Sequence, residues 1–116
     1  MKPRMYHNPR CSKSRATRAL LEAQGIEFEV VEYLQTPPDA EAITRLLAKL
    51  DLPARDLIRS GESEFKEADM DLATASDSAL IQLMAREPKL IERPIVEVDH
   101  AARIGRPPER VLELFK

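Results

Sequence analysis

The sequence predicts an α/β fold, and three observations carry that prediction. Two apolar strand candidates flank a helical segment within residues 4–34; amphipathic helical patterning fills residues 36–87; and a strand pair followed by a helix closes the chain. At 116 residues the chain is read as one domain, residues 1–116. Aromatics are only 4% of the residues, so the core has to be built from Leu, Ile, Val and Ala.

The elements follow in order. Residues 4–7 form a short strand that Asn8-Pro9 stops. Ala16, Ala19, Leu20 and Ala23 recur at three- and four-residue steps and predict a helix over 12–24, ended by Gly25. Phe28 and Val30 alternate with Val31 and Tyr33, which predicts a strand over 27–34 with both faces buried; strand, helix and strand then make a right-handed parallel unit. Thr36 is expected to cap the next helix, with Pro37 in its first position. Ile43, Leu46, Leu47 and Leu50 give that helix an apolar stripe. Pro53 starts a short helical piece, the polar residues 64–70 suggest one turn, and Ser76-Asp77 opens a helix burying Leu80, Leu83 and Met84. Residues 94–98 and 101–104 form a hairpin, and a terminal helix from Pro107 buries Val111, Leu114 and Phe115. A βαβ unit joined through helices to ββα, with a mixed four-stranded sheet, is the layout of the thioredoxin-like fold.

Composition excludes several classes. With 33% charged residues and no long apolar run, a membrane span is not expected, and the N-terminal residues lack the apolar stretch of a secretory signal, so a cytoplasmic location is. The single cysteine, Cys11, cannot form an intrachain disulfide or complete a multi-cysteine zinc site; no metal and no bound cofactor are expected. The pI near 5.7, with no aromatics among the basic residues, argues against a nucleic-acid partner. Yet the net charge of −2 hides an asymmetry: residues 1–20 contain Lys2, Arg4, Arg10, Lys13, Arg15 and Arg18 and no acid.

Cys11 lies inside that basic block, between the first strand and the first helix. Free amides and the helix dipole stabilise a thiolate at such a helix mouth, and Arg10, Lys13 and Arg15 are expected to add to the effect. The same amides could cradle an oxyanion. Cys11-Ser12-Lys13-Ser14 is C-x-x-S, so any thiol that resolves an oxidised Cys11 must come from another molecule.

The segment from Tyr6 through Arg15, Tyr-His-Asn-Pro-Arg-Cys-Ser-Lys-Ser-Arg, resembles the active-site segment of the arsenate reductase (ArsC) family, glutaredoxin-coupled type, and looks most like its YfgD branch. The resemblance continues through Tyr33-Leu34-Gln35-Thr36-Pro37-Pro38, Leu57-Ile58-Arg59, Ile91-Glu92-Arg93-Pro94-Ile95-Val96 and Gly105-Arg106-Pro107-Pro108-Glu109. It implies an enzyme in which Cys11 attacks arsenate, glutathione acts as co-substrate to release arsenite, and glutaredoxin reduces the resulting mixed disulfide. By position it assigns oxyanion binding to Arg59, Arg93 and Arg106, thiolate tuning or positioning to His7 and Ser14, and a structural cis-proline to Pro94. A monomer is expected.

Two other readings fit the same fold. The chain is similar to Spx transcriptional regulators, which bind RNA polymerase, although these typically carry C-x-x-C and Ser14 occupies the second position here. A glutathione-linked thiol transferase acting on another substrate is the third.

Overall fold

A computed structural model describes residues 1–116. The chain forms two compact units, residues 1–36 with 93–116 and residues 37–92. The first unit contains β1 (Arg4–Tyr6), α1 (Ser12–Ala23), β2 (Glu29–Val31), β3 (Ile95–Glu97), β4 (Ala102–Ile104) and terminal 3₁₀ turns over Pro108–Phe115. The sheet order is β2-β1-β3-β4. β1 pairs parallel with β2, Met5 opposite Val30, and antiparallel with β3, Met5 opposite Val96; β3 and β4 form the antiparallel hairpin. This is the thioredoxin-like arrangement with a mixed four-stranded sheet. No helix of the chain is long and apolar enough to cross a membrane.

Strand alternation sets the two faces of the sheet. Met5 and Val96 point to the side where they pack with Leu21, Val98, Val111 and Leu114, bordered by Ile26, Phe28, Ala101 and Phe115. Each fully buried aliphatic there contributes roughly 1.5–3 kcal/mol. The other face carries an unusual group: Glu97 is fully buried, accepting from the Tyr6 hydroxyl at 3.0 Å, with Arg4 Nη1 3.6 Å away. Removal from water pushes the Tyr6 phenol up, with Arg4 opposing and Glu97 reinforcing the shift.

The second unit is helical: α2 (Ala40–Leu50), a 3₁₀ turn at Ala54–Asp56, α3 (Ser63–Glu67), α4 (Asp77–Arg86) and a 3₁₀ turn at Pro88–Leu90. The stripe Ile43, Leu46, Leu47 and Leu50 is buried, as are Leu80, Leu83 and Met84 on α4. Ser76 caps α4 through Ala79 N–H. A lone antiparallel bridge, Ile58 to Ile91, ties the unit's end to its middle.

Five expectations need correction. The buried positions of α1 are Ser14, Thr17 and Leu21, whereas Ala16, Ala19 and Ala23 are exposed. β2 is an edge strand in which Val30 and Val31 are only half-buried, because nothing pairs with its outer side. The cap of α2 is Asp39, accepting from Ala42 N–H at 2.8 Å, rather than Thr36; a carboxylate reaches a first-turn amide well, and Pro38 holds the preceding residue extended. In the polar 64–70 stretch Phe65 is buried, and in the terminal turns Phe115 is only half-buried.

Candidate active site

The loop after β1 is fixed by its own hydrogen bonds. His7 N–H donates to Val31 O at 2.9 Å, extending the parallel ladder one step. Asn8 then turns the chain: its Oδ1 accepts from Arg10 N–H and its backbone carbonyl from Cys11 N–H, each at 3.0 Å. Asn8 N–H donates to Ser14 Oγ, also at 3.0 Å, pinning the loop to the first turn of α1. The result places Cys11 at the N-cap of α1, half-buried, in extended backbone (φ −96°, ψ 124°). No acidic residue lies in the first turn of this helix to repel an anion.

Two arginines far away in sequence complete the surroundings of the sulfur. Arg106 Nη2 stands 3.5 Å from Cys11 Sγ, and its Nε donates to Arg93 O at 2.8 Å. Both arginines precede cis prolines, Pro94 and Pro107. Burial alone would push the thiol up; the amides of Ser14 and Lys13 and the Arg93 guanidinium outweigh it and hold the thiol below its ordinary range. The cations beside Cys11 in sequence act differently from expectation. Arg15 is engaged with Pro9 O at 2.9 Å, and Arg10 and Lys13 are exposed. The guanidiniums that reach the thiol come from the hairpin side of the unit.

Gly105 makes that approach possible. A Cβ at this position would lie 2.5 Å from Thr17 Oγ1 and 2.8 Å from Pro94 Cγ. With hydrogen there instead, Gly105 N–H bonds Pro94 O at 2.9 Å and the 105–106 turn lies flush against α1. Thr17 Oγ1 is itself satisfied by Lys13 O at 2.9 Å. Asn8 is the turn residue expected from the sequence, whereas Gly105 and Thr17 carry no such role there. A glycine directly before Arg-Pro was the available signal, but the partner it must clear is 88 positions away in the chain.

His7 and Ser14 are buried together behind the sulfur, Nδ1 to Oγ at 2.6 Å. Burial, followed by Arg18, lowers the His7 pKa against the opposing pull of Glu32, so the ring is neutral at pH 7. Ser14 Oγ also accepts from Asn8 N–H, so one hydroxyl ties the His7 ring to the loop backbone.

Arg59 belongs to the helical unit. Its Nη1 donates to Glu92 Oε1 at 2.8 Å, Nη2 is 3.6 Å from Glu62 Oε1, and its backbone N–H bonds Leu90 O. Thus the structure gathers Cys11, Arg93, Arg106, His7, Ser14 and Pro94 within one unit, and holds Arg59 between two carboxylates of the other. His100 lies in the exposed bend of the β3–β4 hairpin, as a turn residue.

The sequence profile of the ArsC family matches residues 6–114. The chain belongs to the ArsC family. It is 53% identical over 112 residues to YfgD of Escherichia coli (strain K12), covering 96% of this chain and 94% of that one. It is 44% identical to an arsenate reductase of Neisseria meningitidis serogroup A, over 93% of both chains. Among solved structures, the arsenate reductase from Vibrio cholerae superposes with a TM-score of 0.92 at 51% identity, covering 97% of each chain. The ArsC match spans every segment that builds the Cys11 site.

The thiol chemistry is directly measurable. Alkylation by iodoacetamide follows the thiolate fraction, so its pH midpoint should fall below that of an unperturbed cysteine. Arg93→Gln should move the midpoint upward. A midpoint at the ordinary cysteine value in the wild type would contradict the electrostatics described above.

Proposed function

We propose that this protein reduces arsenate to arsenite at Cys11, with glutathione as the external thiol and a glutaredoxin closing the cycle. The observation that carries the reading is a thiol with lowered pKa at an open helix N-terminus, with Arg106 3.5 Å from Sγ and Arg93 lowering its pKa. The similarity to arsenate reductases supports it. Like a phosphate ester, arsenate carries about −1.5 to −2 charges at neutral pH, and guanidiniums bind such tetrahedral oxyanions with paired hydrogen bonds.

The chemistry balances as follows. The Cys11 thiolate attacks arsenic; an S–As bond forms, an As–O bond breaks, and the departing hydroxide takes a proton to become water. Arginine donors stabilise the charge moving onto oxygen. A glutathione thiolate then attacks Cys11 Sγ; the S–S bond forms, and the S–As electron pair stays on arsenic, which leaves as arsenite. Two thiolates have become a disulfide and As(V) has become As(III). A glutaredoxin thiolate takes the glutathionyl group and returns the Cys11 thiolate. Ser14 and His7 position the loop, Pro94 shapes the wall beside the sulfur, and Arg59 enters this reading from its sequence position.

The test is arsenite production from arsenate with glutathione, glutaredoxin and a reducing system. Multiple turnovers are expected, and none without glutathione, because the chain has only one cysteine. Arsenite at the protein-free background rate would overturn the reading.

A further inference from the structure

In the same unit as Cys11 lies a cavity of about 180 Å³ lined by the four residues that precede Cys11, residues 7–10, together with Glu32, Leu34 and Gln35. At about 30 Å³ per liquid water it has room for roughly six waters, the scale of one amino-acid-sized group. The His7–Val31 hydrogen bond makes its two walls, residues 8–10 and 32–35, leave the sheet side by side. Each wall is held by its own turn: Asn8 Oδ1 fixes Arg10 N–H, and Glu32 O accepts from Gln35 and Thr36 N–H, both at 2.9 Å. Arg10 and Glu32 are exposed and outside every ion pair of the chain, although they face one cavity with opposite charges. Leu34, 42% exposed, is one of only two large apolar side chains so exposed.

A cation, an anion, an apolar side chain and a primary amide around one small cavity match an α-amino-acid head: carboxylate to Arg10, ammonium to Glu32, methylenes against Leu34. Cys11 directly follows Arg10 in the chain but does not line the cavity. The head it holds must therefore stand several bonds from the reacting sulfur. In free cysteine the ammonium is three bonds from sulfur, too close for such a position; in glutathione the γ-glutamyl head lies beyond an amide bond. We propose that this cavity binds the γ-glutamyl end of glutathione and so presents that thiol, or its disulfide, to Cys11. The inference names the site of the co-substrate in the function proposed above and rests on that reading for its physiological meaning.

Its test does not need arsenate. The Cys11 thiolate attacks a symmetrical disulfide, forming one S–S bond and expelling one thiolate, and the mixed disulfide is read by mass. Rates with glutathione disulfide and with cystine are each divided by the rate with bis(2-hydroxyethyl) disulfide, which has no head group; this cancels any change in thiolate fraction. Wild type should prefer glutathione disulfide over both others. Glu32→Gln and Arg10→Gln should each cut the glutathione ratio by about tenfold, the value of one charge-assisted hydrogen bond, and leave the cystine ratio unchanged. Ratios within about twofold of wild type in both variants, or an equal preference for cystine, would overturn the proposal. If the preference holds while arsenite is never formed, the cavity stands and the arsenate reading falls; the opposite pair of results separates them the other way.

Discussion

Replacing Cys11 with serine should abolish arsenite release and leave the anion bound. A serine hydroxyl is protonated at neutral pH and a poor nucleophile without a dedicated base, and an arsenate ester through oxygen offers no sulfur for a second thiol to attack. The loss should reach at least about 10⁴-fold, the scale seen when a lone nucleophile is removed from an organised site. Binding should survive because the donors proposed for it lie elsewhere: the amides at the start of α1 and the guanidiniums of Arg93 and Arg106 are untouched. Titration calorimetry with arsenate or sulfate should give an affinity close to wild type. A Cys11→Ser protein that retains one hundredth or more of the turnover would remove the thiol–arsenate step, and one that no longer binds anions would show that the thiolate itself organises the pocket.

Gly105→Ala should damage both stability and turnover, though residue 105 touches no substrate. The new methyl group would meet Thr17 Oγ1 at 2.5 Å and Pro94 Cγ at 2.8 Å. Neither neighbour yields easily: Thr17 is buried on α1 with its hydroxyl bonded to Lys13 O, and Pro94 is a buried ring. Overpacking of this kind costs about 1–3 kcal/mol. For a domain of this size that lowers Tm by roughly 4–12 °C. The clash is relieved only by lifting the 105–106 turn, which carries Arg106 away from the sulfur, and a displacement near 1 Å can cost about 10²-fold in rate. Thermal unfolding and arsenite assays check both effects. Adding Thr17→Ala removes the closer of the two contacts and should recover part of the lost Tm. An unchanged Tm in Gly105→Ala would mean the turn relaxes freely.

Much of the architecture was legible in the sequence because apolar periodicity encodes it. Ile43, Leu46, Leu47 and Leu50 face inward as their spacing requires, and the strand–helix–strand start with the closing hairpin gives the sheet its order. Misreadings arose where polar atoms do the packing. The inward face of α1 is Ser14, Thr17 and Leu21, and two of these are buried for their hydroxyl groups, which bond His7, Asn8 and Lys13. An apolar pattern cannot display that face. Likewise β2 reads as doubly buried from its own residues, but whether a strand lies at an edge depends on which strands pair beside it.

The site divides the same way. Cys11 at a helix mouth follows from local sequence alone. Its electrostatics do not: the neighbouring Arg15 is spent on Pro9 O, while Arg93 and Arg106 act on the sulfur from beyond a helical unit of more than fifty residues. Only the family resemblance pointed to them. Gly105 shows the same limit, since the need for a bare backbone there is imposed by Thr17 and Pro94 rather than by its neighbours.

Arg106 divides one planar guanidinium between two tasks, Nε on the Arg93 carbonyl and Nη2 toward Cys11 Sγ. The anchor fixes the plane, so an arriving anion meets a donor whose rotamer entropy was already lost during folding. A lysine has one terminal nitrogen and cannot reproduce both bonds in one plane. Because the acceptor is the main-chain carbonyl of residue 93, substituting the Arg93 side chain leaves the Arg106 plane anchored, whereas replacing Arg106 loses the anchor and the donor to the sulfur together.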